Sequence, residues 1–118
     1  MDAFTQARAE LKATLEAAGI DNVTLDPRLE PPGVLVDAPS SVEPANGGAT
    51  WTLVIPVRLI APPPGNADAL DWLLATLEPV MVAIGIDEAR ARAGTYSLND
   101  KDCPAYSVEV SRVQIVPC

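Results

Sequence analysis

The chain is 118 residues long, with 48% apolar residues and a net charge of −8 from 16 acidic and 8 basic side chains. That size suits one domain with an ordinary core, and the apolar content is too high for a disordered acidic tail. The charge balance opposes tight nucleic-acid binding, and no apolar run approaches the ~20 residues that cross a bilayer.

A helical period opens the chain. Phe4, Ala7, Leu11, Leu15 and Ala18 recur at three- and four-residue steps and predict a helix over residues 4–18, with Arg8, Glu10, Lys12 and Glu16 off the apolar stripe. Asp2 complements the helix dipole, and Gly19 suits a left-handed terminus. Residues 21–26 read as a short extended piece. Pro31-Pro32-Gly33 then turns the chain into a strand at 34–36. Residues 37–49, with two prolines, three serine or asparagine side chains and Gly47-Gly48, read as a polar loop.

Residues 50–61 form the longest predicted strand. Trp51, Leu53, Ile55, Val57 and Leu59 share one face, and Thr52, Val54, Pro56, Arg58 and Ile60 share the other. The second face is more apolar than water requires, which hints at a covering partner. Pro56 argues for a sheet edge or a bulge. Asn66 is a good helix cap. Beyond it Leu70, Leu73, Leu74, Leu77, Val80, Met81 and Ile84 predict a helix over 67–84, kinked or interrupted at Pro79.

Residues 90–98 are a strand candidate and 99–102 a turn. A last strand over 105–116 has its alternation slipping at Ser111–Arg112, as a bulge would make it. The expected architecture is α+β in α-β-β-α-β order: a mostly antiparallel sheet with two helices packed on one face, as one domain over 1–118.

Catalytic chemistry is scarce. There is no histidine, hence neither the commonest general base nor the commonest zinc ligand. No nucleophile elbow is present, and Gly47-Gly48 lacks the Lys-Ser/Thr of a phosphate loop. Asp100 and Asp102 flank Lys101 in what reads as a solvated turn and not a calcium loop. Asp68 and Asp71 suit a helix N-terminus, and Asp87-Glu88 an exposed loop. The expectation is a non-enzyme without cofactor or metal. Cys103 and Cys118 match no metal spacing and are expected as free thiols, with a disulfide as the alternative. The first four residues lack the basic region and apolar stretch of a secretory signal, so synthesis in the cytoplasm is expected.

Four segments together resemble the tail terminator, or tail-completion, proteins of long-tailed actinobacterial phages. They are residues 1–20 (MDAFTQARAELKATLEAAGI), 26–39 (DPRLEPPGVLVDAP), 51–84 (WTLVIPVRLIAPPPGNADALDWLLATLEPVMVAI) and 103–116 (CPAYSVEVSRVQIV). The resemblance lies in order and spacing and spans nearly the whole chain. It implies a homo-oligomeric ring, hexameric in that family, that caps the tail tube, stops its growth and meets the head–tail connector. DNA would only pass through the bore, and no membrane is involved. The expected location is the virion tail at the head–tail junction, after assembly in the host cytoplasm.

Candidate contact residues are Glu43, Asn46, Gly47 and Gly48 in the 37–49 loop, read as a docking arm, with Trp72, Asp100 and Asp102. Free strand edges are candidates for joining neighbouring copies into a larger sheet. A head–tail stopper or connector, a tail-tube ring protein, and a non-viral adaptor or ligand-binding α+β domain remain the alternatives.

Overall fold

The structure is a computed structural model that describes residues 3–26, 32–61, 67–85, 89–98 and 101–115. The expectations at Asp2, Pro31, residues 62–66 with the Asn66 cap, Asp87-Glu88, Asn99-Asp100 and Cys118 lie outside the described residues.

Helix α1 (Ala3–Ala17) buries Ala7, Leu11 and Leu15, the middle of the predicted stripe. It ends at Gly19, whose φ is +84°, with Ile20 N–H donating to Leu15 O at 3.2 Å. Strands β1 (Val23–Thr24), β2 (Gly33–Val36), β3 (Ser41–Ala45) and β4 (Thr50–Ile60) follow. Then come helix α2 (Ala67–Ile84) and strands β5 (Ala89–Leu98) and β6 (Lys101–Ile115).

The sheet is mixed but mostly antiparallel, in the order β1-β2-β4-β6-β5, with β3 beside β4 on the β2 side. Among the described strands only β1 and β2 run parallel. The fold is therefore α+β with two helices, as the periodicities indicate, but with more strands than the expected series.

Ala7, Leu11 and Leu15 of α1 and Ala69, Leu73, Val80 and Ile84 of α2 are buried in one cluster with Leu53, Ile55, Val57 and Leu59 of β4, the predicted inner face, and with Val108 and Val110 of β6. Phe4 meets Trp51 edge-to-face at 5.5 Å, fixing the start of α1 over the end of the sheet. On the second sheet face a smaller cluster of Leu35, Ile60, Cys103 and Ala105 is fully buried or nearly so.

Four local expectations are corrected. First, residues 41–45 of the expected loop are strand β3, paired with β4 from Ser41↔Val54 to Ala45↔Thr50. Their polar sequence is compatible with a strand because Val42, Glu43 and Pro44 are exposed at the sheet margin. The docking arm is thus a hairpin, and only the Asn46–Gly48 turn projects from it.

Second, Pro56 lies in a central strand. Its carbonyl accepts the Asp37 N–H at 3.0 Å, and the Val54 carbonyl accepts that of Ser40 at 2.8 Å. A strand residue directs N and C=O to the same side, so the missing N–H of Pro56 faces the junction between β2 and β3, where no strand residue is paired with it. The β6 side keeps its ladder.

Third, β6 has no bulge: its register against β4 is unbroken from Thr50↔Ile115 to Ile60↔Ala105. The apparent slip arises because Arg112 occupies an inner-face position, where its Nη2 donates to the Ile84 carbonyl at 3.5 Å and caps the end of α2.

Fourth, α2 runs through Pro79 without interruption, but its buried line is Ala69, Leu73, Val80 and Ile84. Leu70 and Leu74, expected in the core, are 50% and 48% exposed. The helix has a wider apolar surface than the sheet can cover, and it is rotated so that Trp72 turns toward α1.

Candidate interaction surfaces

The expected contact residues fall in three separate places. Glu43 is exposed on β3, opposite Thr52 of β4 on the second sheet face. Asn46 opens the hairpin turn, and Gly47 and Gly48 form its exposed tip with φ of +66° and +89°. Residues without a Cβ take this left-handed backbone at little cost, which is the local reason for the glycine pair.

Asp102 is exposed at the opposite end of the sheet, across from Ser97. Its companion Asp100 lies outside the described residues. The eleven-residue β4 separates the two ends. At ~3.4 Å per residue that is roughly 37 Å.

Trp72 belongs to neither end. It is half-buried on α2 and lines a cleft of about 250 Å³ with Ala18, Gly19, Ile20 and Asp21 from the end of α1 and Ala75, Thr76 and Pro79 from α2. It packs against the core margin. The cleft is small and carries one carboxylate, so its chemistry is that of a helix–helix seam.

A feature that the sequence reading did not single out lies on the second face. The registers place Arg58, Ser107 and Arg92 side by side across β4, β6 and β5, with Arg90 beside Glu109 one pair further along. Arg58 is anchored: its Nε lies 2.8 Å from Asp37 Oδ2, and its guanidinium sits 5.6 Å from the Tyr96 ring centre. Arg58, Arg92, Gly94, Tyr96 and Ser107 border a groove of about 150 Å³. Gly94 and Ala105 leave the space. The signal was present as Arg-x-Arg in a strand candidate, since period two puts Arg90 and Arg92 on one face.

Arg8, off the apolar stripe of α1, is a structural tie. Its guanidinium donates to the carbonyls of Val36 (2.8 Å), Leu25 (3.0 Å) and Asp37 (3.1 Å), joining α1 to the ends of two strands. Among the described residues no group of His, Cys, Asp or Glu is arranged to hold a metal ion, and Cys103 is buried.

Comparison with protein-family models gave no match, and comparison with curated proteins gave none either.

Proposed function

We propose that this protein is a structural virion component, a tail terminator of a long-tailed bacteriophage. Copies close into a ring at the end of the tail tube, hexameric if it follows the family it resembles. One ring face matches the last tube ring, and the other meets the head–tail connector or stopper proteins. No reaction is involved: polymerisation stops because the outer ring face lacks the surface that recruits another tube subunit.

The observation that supports this reading best is the segregation of exposed polar ends. The Glu43 and Asn46–Gly48 hairpin projects at one end of the sheet and Asp102 at the other, roughly 37 Å apart. A cap with two different jobs needs two different ends. The net charge of −8 suits a bore that passes DNA without holding it.

The test is to add purified protein to growing tail tubes and image the tube ends by electron microscopy. Rings at the tips with tube length frozen are the expected result. Bare tips with binding to the portal complex would make the protein a stopper, and incorporation along the tube a tube subunit. Binding to none of these would remove the viral reading.

A further inference from the structure

Two surfaces that the fold leaves unsatisfied are complementary to each other. On α2, Leu70, Leu74 and Val82 are 50%, 48% and 62% exposed, and only Val42 joins them as an exposed large apolar side chain among the described residues. Spaced at multiples of four, these three follow one flank of the helix, next to half-buried Leu77 and Met81. Exposed Asp68, Asp71 and Glu78 are interleaved, and α2 has no cation at all.

The second sheet face has the opposite character. Arg90 and Arg92 are exposed there and make no ion pair or hydrogen bond among the described residues. Among the described residues, three carboxylates share that face or its margin. Asp37 is held by Arg58, Glu109 stands across from Arg90 without an ion pair, and Glu43 is at the hairpin end. Arg92 has Ser107 and Arg58 as its neighbours across the strands, and no acid. Half-buried Val54 and Tyr96 add apolar surface. The sheet itself stands between α2 and this face, so one chain cannot join them.

We infer that α2 of one copy packs on the second sheet face of the next. The cluster of Leu35, Ile60, Cys103 and Ala105 on that face is already buried within one copy, so Leu70 and Leu74 meet the half-buried surface outside it, and the α2 carboxylates reach Arg90, Arg92 and the groove beside Tyr96. Each sheet then has helices on both sides, the layered arrangement that buries a two-faced sheet. Unlike patches meet, so the contact is head-to-tail and closes a ring when its rotation permits. This deepens the ring reading and rests on it for closure alone. The hairpin and Asp102 ends stay free for axial partners. Direct edge-to-edge pairing is disfavoured at β3. There the N–H and C=O of Val54 face β3 opposite Ser41, so the alternation turns the backbone of Pro44, which lacks an N–H, to the free edge.

The test is self-association by sedimentation, without tubes, for the full chain and three variants. Arg90→Glu with Arg92→Glu reverses one surface, and Asp71→Lys with Glu78→Lys the other. The third variant carries all four changes. Each reversal is expected to weaken association at least about tenfold, and an equimolar mixture of the two, or the fourfold variant, to restore it. Raising salt from about 0.05 to about 0.5 M weakens the wild-type contact.

Reversals without effect, no rescue, or a wild-type protein still monomeric at about 1 mM would each overturn the inference. Association without tube capping keeps this contact and removes the terminator reading. Capping by a charge-insensitive ring does the reverse.

Discussion

Arg58 Nε lies 2.8 Å from Asp37 Oδ2, and this pair joins the central strand to the residue that follows β2. Both side chains are about one-third exposed, so water screens the attraction, and the pair contributes under ~1 kcal/mol by itself. Asp37 does more than pair. Its Oδ1 accepts the Ala38 N–H at 2.8 Å, and its carbonyl accepts Arg8 Nε. Asp37→Ala is therefore expected to cost about 1–2 kcal/mol, whereas an Asp37→Asn, Arg58→Met double-mutant cycle yields a coupling below about 1 kcal/mol. Urea denaturation of the four proteins measures both.

Arg8 carries more stability than its place on a helix surface suggests. Removing the guanidinium orphans three carbonyls in partly buried surroundings. Arg8→Met is expected to lower stability by about 2–3 kcal/mol, and Arg8→Lys to recover less than half of that, because a single ammonium cannot reproduce the fork. Equal stability of Arg8→Lys and wild type would contradict the geometry.

Leu15 and Leu74 separate the two apolar surfaces. Leu15 is fully buried and Leu74 is 48% exposed. Leu15→Ala is expected to cost about 2–5 kcal/mol through the cavity it leaves, and Leu74→Ala under about 1 kcal/mol in the monomer. If Leu74→Ala also proves costly at concentrations where the protein is monomeric, α2 is rotated relative to the structure.

Cys103 is 1% exposed. In a Cys118→Ser background, a thiol reagent is expected to label it only as fast as the protein unfolds, with the rate rising in urea. Immediate labelling of native protein would show the second-face cluster to be open.

The hairpin tip tests the proposed function independently of the lateral contact. Replacing Asn46–Gly48 by a two-residue Asn-Gly turn is expected to leave the unfolding midpoint within about 1 kcal/mol of wild type while weakening tube capping. Unchanged capping would remove the tip from the tube contact.

The secondary structure was largely legible because it follows from local period. Phe4 to Ala18 and Leu70 to Ile84 repeat at the helical step, and Trp51 to Leu59 alternate; such patterns specify an element whatever lies opposite. Strand β3 was not legible. Its five residues include proline and glutamate, and their extended state is held by pairing with β4, a partner that no short window contains. Glu43, Gly47, Gly48 and Asp102, each exposed, were legible singly as polar or glycine positions. Their grouping into ends was not, because a linear chain does not state the register of β4 against β6.

By itself the sequence determined the class of the domain: two amphipathic helices, an apolar central strand, an acidic surface and a chain without histidine. These are set by composition and by periods of two and 3.6 residues. Only the tertiary structure decided which flank of α2 is buried, that Arg8 ties three carbonyls, and that Arg58 and Arg92 flank Ser107. Each of those depends on residues distant in the chain being brought together by strand register and helix rotation, and that register is chosen by the packing of the whole core.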